Sequence, residues 1–195
     1  YGHDLTFDEV HWLANWCFVR GQNLLYPHAF YYSVRGPRRD ERPPDVGPNA
    51  EWWPRFKPYA DACRRLSWVN TDSRQVCSIA ILAAPQQTPD RAAAVLFQNQ
   101  RDFNYLEWRH LWEDACVDES GIQLAGMKYT AVILDQLAEL PAEAMAALRR
   151  LATAGRLVSF RTPATGIAGM AEVSDDAALV AILDRLAPAD IVLDP

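Results

Sequence analysis

The sequence predicts an α/β fold: a doubly wound, mostly parallel sheet with helices on both faces, behind a shorter helix-strand-helix lead-in. Three observations predict it. Residues 76–82, VCSIAIL, form a near-continuous apolar and β-branched run, as in a central parallel strand buried on both faces. From Gln75 onward such runs alternate with helical patterns. Before them, the single residue Gly21 separates a capped amphipathic helix from a short apolar run at residues 24–26.

Taken in order, Thr6 and Glu9 form a capping box that opens the first helix. Val10, Leu13, Ala14 and Cys17 fall on one face of it, and Gly21 ends it. A buried strand is expected to follow from Asn23, with residues 24–26 as its apolar part. Residues 34–49, VRGPRRDERPPDVGPN, hold four prolines and no apolar period, so they predict a long irregular loop. Trp52, Phe56, Tyr59, Ala60, Cys63 and Leu66 then mark a bulky helix face, with Pro54 and Pro58 near its start.

A second domain is expected beyond. After its first strand, Thr88-Pro89-Asp90 reads as an N-cap for a helix reaching about Gln98. Residues 102–107 read as a second strand, and 107–116 as a short helix. Residues 122–124 and 128–134 flank Gly126 as a hairpin that feeds a third strand, YTAVILD. An alanine-rich helix over 141–154 stops at Gly155. Residues 157–160 read as a fourth strand, Ser174 as the cap of a last helix to Leu186, and 191–193 as a fifth strand.

Composition bounds the function. The chain has 195 residues, 50% of them hydrophobic, enough for one sizeable core or a small domain with part of another. Net charge is -6 and the pI about 5.2, with no basic stripe, which argues against nucleic acid. No apolar run approaches a membrane span. The four cysteines, Cys17, Cys63, Cys77 and Cys116, lie far apart without a CxxC pair, so no zinc site is expected. Reduced thiols make a cytoplasmic protein the simplest reading. Tyr1 is not a natural start, so the segment reads as cut from a longer chain. A removed signal peptide, and with it secretion, therefore stays open.

Chemistry concentrates just past residues 24–26. His28, Phe30, Tyr31 and Tyr32 cluster where a buried strand would end, which is where α/β enzymes place ligand-facing groups. They read equally as rim residues of a core with their polar ends hydrogen-bonded. Arg35, Arg38 and Arg39 lie in the loop beyond, placed to meet carboxylates or sugar hydroxyls, or simply solvated.

The second domain carries less. No GxGxxG or Walker A loop follows a strand, so no nucleotide cofactor is expected. Gly166-Ile-Ala-Gly169 is a weak phosphate-turn signal beside a plain flexible loop. No cysteine stands at a strand-to-helix elbow, and His110 is this domain's only histidine. Asp102, Glu107 and Asp135 lie near expected strand ends without forming a recognisable acid–base pair. No catalytic residue and no metal ligand is assigned.

The runs GQNLLYPHAFYYSVRGPRRDERPPDVGP, WWPRFKPYADACRRLSWVN, QRDFNYLE and AGMKYTAVILD together resemble the later part of large bacterial glycoside hydrolases, of the α-L-rhamnosidase-like group. The resemblance covers the chain to about Phe160. It implies the end of a TIM barrel over residues 1–70 (seventh helix, eighth strand over 23–33, eighth helix). A flavodoxin-like domain follows over 71–195, similar to the trimerisation domain of some β-galactosidases and to class I glutamine amidotransferases. It implies a carbohydrate substrate for the longer enzyme, with acid and nucleophile on barrel strands upstream of Tyr1. His28, Tyr31, Tyr32, Asn23 and Arg35 are then the substrate-contact candidates, and the segment alone is expected to be inert. The alternative is a non-catalytic interaction module with an amidotransferase-like fold, for which a homo-oligomer is the expected partner.

Overall fold

In the first of two units, Tyr1–Gln75 and Val76–Pro195, Thr6 starts helix α1, Phe7–Phe18, with the capping box complete: its side chain accepts from the Glu9 N–H, and Glu9 reaches back to the Thr6 N–H. The computed structural model describes residues 4–40, 43–137, 139–161 and 166–188. The division falls at Gln75/Val76, where the sequence reading set it at 70/71.

Val10, Ala14 and Phe18 bury one face of α1 against Trp52 and Tyr59, the latter on helix α2, Phe56–Thr71. The Trp52 and Tyr59 rings meet edge to face at 5.8 Å. The Asn70 side chain donates to the Phe18 and Gln22 carbonyls, both at 2.9 Å, tying the end of α2 to the end of α1.

The strand expected over residues 23–33 is absent. The segment is irregular and joins no ladder, with Leu24 73% and Tyr26 93% exposed. An apolar run becomes a strand only where a neighbouring strand takes its backbone groups, and no described strand pairs with this one. The described residues of the loop over 34–49 are irregular as expected, apart from a 3-10 turn at Gly36–Asp40.

The second unit is built on a five-stranded parallel sheet. Its strands are β1 (Ile79–Ala83), β2 (Asn104–Glu107), β6 (Ala131–Asp135), β7 (Leu157–Phe160) and β8 (Ala171–Val173), in the order β2-β1-β6-β7-β8. Counting these alone gives 2-1-3-4-5, so the fold is a flavodoxin-like α/β fold. All five residues of β1 and of β6 are buried, as the VCSIAIL and AVILD runs require. Ile79, Ile81 and Ile133 pack under helices α3 (Arg91–Gln98) and α6 (Asp176–Leu186). Ala80, Leu82 and Leu134 pack on the other face, under short α4 (His110–Glu113) and α5 (Met145–Thr153). A second sheet covers that face too, antiparallel β3 (Cys116–Asp118), β4 (Gly121–Leu124) and β5 (Met127–Tyr129).

Four expectations change. The short helix over 107–116 is only α4, because Cys116 already opens β3. Residues 128–134 belong to two sheets, breaking at Thr130. The caps move: Asp175, not Ser174, accepts from the Ala178 N–H, and Asp90 rather than Thr88 precedes α3. The fifth parallel strand is β8, after the Gly166–Gly169 stretch, and the strand expected at 191–193 lies outside the described residues.

Gly121 is irreplaceable in the hairpin. Its φ is +130°, and a Cβ there would collide with the Tyr129 carbonyl oxygen. Gly121→Ala is expected to destabilise the second unit by about 2–4 kcal/mol. Urea denaturation followed by far-UV circular dichroism measures it, and an unchanged midpoint would refute the close approach.

Candidate functional site

The first unit holds the candidate residues, and a buried carboxylate organises them. Asp45 is 4% exposed although it lies in a proline-rich loop. Its Oδ1 accepts from the Tyr31 N–H at 2.9 Å and its Oδ2 from the Asn49 N–H at 3.0 Å. The Asn49 side chain donates to the Tyr31 carbonyl at 2.9 Å, and the Tyr31 hydroxyl to the Pro43 carbonyl at 2.9 Å. The Val46 N–H reaches the Ala29 carbonyl at 2.9 Å. Ala29 is held at φ +107°, a conformation a non-glycine residue keeps only when its surroundings enforce it. Phe30 closes over Gly47 and meets Trp53 edge to face at 5.5 Å.

The bonds made by Tyr31 span 12 to 18 residues of chain and fix the loop against the segment before it. They leave a row of large side chains outside: Tyr26 is 93% exposed, Phe30 64% and Tyr32 102%. His28, Asn23 and Arg35 are exposed as well. Tyr31 differs from its neighbour Tyr32, because its N–H, carbonyl and hydroxyl all hold the loop.

Beside His28 lies a cavity of about 250 Å³ between α1 and residues 25–28, closed by Pro43, Pro44, Val46 and Tyr59. Its walls are mostly apolar, with Val10, Leu13, Ala14 and Leu25 among them and His28, Cys17, Tyr26 and Tyr59 as the lining residues with polar side-chain groups. Burial pushes the Tyr59 hydroxyl far up, with Cys63 and Cys17 adding to it, so it stays a neutral phenol. Such walls suit an apolar group better than a sugar, which has a hydroxyl on nearly every carbon. Tyr32 and Arg35 lie outside the lining of this cavity, with His28 at its rim.

In the second unit, the carboxyl ends of β1 and β6 flank the point where strand order reverses, the crevice where open α/β sheets bind ligands. Here the chain fills it. Ala84 and Gln87 exchange backbone hydrogen bonds at 3.0 and 3.1 Å. The Gln87 side chain donates to the Gln136 carbonyl at 3.0 Å, and the Gln136 side chain to Asp90 at 3.2 Å. Asp135, fully buried at the end of β6, accepts the Ala92 N–H at 2.8 Å. Its carboxylate thus occupies the place at the amino end of α3 that a bound anion takes in nucleotide-binding folds. Burial pushes its carboxyl above the ordinary value, against the pull of the Ala92, Gln136 and Arg91 hydrogen bonds.

Sequence reasoning missed Asp45, Asn49 and Asn70. An aspartate among prolines and glycines reads as a turn former, and nothing local marks its partner at Tyr31. Among the described residues no cluster of three His, Cys, Asp or Glu is arranged to hold a metal, and no helix is long and apolar enough to cross a membrane.

Asp45→Ala removes the acceptor that the Tyr31 and Asn49 N–H groups share and is expected to cost the first unit about 2–4 kcal/mol. Hydrogen exchange should accelerate at the Tyr31 and Asn49 amides while β1 keeps its protection. Equal protection in both proteins would show that Asp45 is not the latch.

Asp135 sets a pH dependence. Because its folded pKa is raised, the folded state holds the proton more tightly than the unfolded chain. Its contribution is most favourable below the ordinary carboxylate pKa and is lost as pH rises through the raised folded value. Relative to Asp135→Asn, the native protein should lose stability between acidic and neutral pH, measured by urea denaturation of both at each pH. A gap that stays constant would mean that this carboxyl does not titrate differently on folding.

No protein-family model, no curated protein and no solved structure matches this chain.

Proposed function

We propose that this chain is part of a carbohydrate-active enzyme that hydrolyses glycosidic bonds. In this reading residues 28–35 supply substrate contacts and the flavodoxin-like unit is structural. The supporting observation is the Asp45 latch: a buried carboxylate holds still a loop whose neighbouring aromatic side chains stand in solvent. Tyr26, Phe30 and Tyr32 present large aromatic side chains to solvent along this stretch. Sugars offer C–H faces that lie on such rings and hydroxyls that need donors and acceptors beside them. His28 and Arg35, exposed in the same stretch, provide those. The sequence resemblance to bacterial glycoside hydrolases gives the reaction class.

Cleavage with retention needs two carboxyl groups about 5 Å apart, and the resemblance puts both upstream of Tyr1. The purified 195-residue chain should therefore leave aryl α-L-rhamnosides and aryl β-galactosides uncut. In the longer enzyme, His28→Ala and Tyr32→Ala should each lower kcat/KM about tenfold, or ~1.4 kcal/mol of transition-state binding. Melting temperature should hold, because both side chains are exposed. Turnover by the chain alone that disappears on mutating one of its carboxylates would overturn the reading, as would an unchanged kcat/KM in both variants.

A second reading, a non-catalytic interaction module with an amidotransferase-like fold, draws support from the filled crevice around Asp135, Gln87 and Gln136. It expects turnover to be indifferent to His28 and Tyr32.

A further inference from the structure

β2 is the outermost strand on its side of the parallel sheet and pairs with β1 alone among the described strands. The Trp108 N–H donates to the Ala83 carbonyl at 3.1 Å, so Asn104, Leu106 and Trp108 turn their backbone groups toward β1. Alternation turns the N–H and C=O of Phe103, Tyr105 and Glu107 outward, to the open edge. Phe103 and Tyr105 lie on the α3 face, their rings 5.4 Å apart, with Phe97 4.9 Å from Phe103. Phe97 is 47% and Tyr105 42% exposed. Open edges are usually blunted by lysine, proline or a bulge, and the stretch 101–107, RDFNYLE, has no lysine or proline.

The same stretch is complementary to itself when reversed. Two copies laid antiparallel about Asn104 set Phe103 opposite Tyr105 and Arg101 opposite Glu107, twice over by symmetry. The outward N–H and C=O groups of Phe103 and Tyr105 then satisfy one another. The aromatic rings become cross-strand pairs, and unlike charges face at both ends. Centring on Tyr105 instead would bring Arg101 against Arg109 and Phe103 against Glu107, so charge selects the Asn104 register. Arg101 already pairs with Asp184 and Glu107 with Arg109, which makes each end a network that a further opposite charge can join.

We propose that β2 is a self-recognition edge, through which two copies of this chain join their parallel sheets antiparallel and two-fold about Asn104. The contact is small, so the dimer is reversible and forms with rising concentration.

Sedimentation equilibrium of the 195-residue chain should show a monomer–dimer equilibrium. Over the same concentrations, exchange at the Phe103 and Tyr105 amides should slow while the β1 amides do not change. Glu107→Arg should weaken the dimer about tenfold or more, and adding Arg101→Glu should recover it. A chain that stays monomeric would overturn the proposal. So would an oligomer whose Phe103 and Tyr105 amides exchange freely. Where a charge variant fails to fold, amide protection in the unmodified chain decides the matter.

Discussion

The second unit depends on the pairing of β1 with β6. These two strands are buried along their whole length and carry apolar side chains to both faces. In water their backbone groups would keep solvent partners, and inside the core only a neighbouring strand can replace those. The Ile79–Ala131, Ala80–Val132 and Ile81–Ile133 register therefore decides which residues face which layer. One slip would exchange the α3–α6 face with the α5 and hairpin face, and isoleucines would meet a space shaped for leucine and alanine. Asp135 ends β6 inside this frame, which explains how a carboxylate comes to be fully buried at the start of α3.

The first unit is held differently. Its two helices bury few residues, Val10, Ala14 and Phe18 on α1 and Tyr59 on α2, so hydrogen bonds carry more of its order. Asn70 joins the helix ends, and Asp45 joins the two arms of the long loop. Both are short polar side chains satisfying backbone groups that water would otherwise take. A loop built this way keeps its shape while its aromatic side chains stay outside.

The central strands were legible because burial on both faces leaves an unmistakable apolar run, seen at VCSIAIL and AVILD. The α1 capping box was legible because all its partners lie within four residues. The short strands β3 and β8 were not, since three residues cannot show a period and only their partners define them. Residues 24–26 misled for the opposite reason: LLY behind a glycine has the composition of a buried strand, yet composition does not supply a neighbour. His28, Tyr32 and Arg35 could be picked out by residue type. Asp45 could not, because its role depends on contacts 14 residues back in the chain and on a neighbouring amide at Asn49.

The tryptophans are unevenly shared. Of seven, Trp12, Trp16, Trp52, Trp53 and Trp68 belong to the first unit and only Trp108 and Trp112 to the second. Trp52 is almost wholly enclosed, while Trp12 and Trp68 already face water at 58% and 78% exposure. Ultraviolet emission from this chain is therefore chiefly a signal from the helical pair. The unit with the parallel sheet, which holds most of the buried apolar side chains, contributes only Trp108 and Trp112 to that signal. An unfolding trace read by fluorescence alone would therefore weight the smaller unit over the larger one.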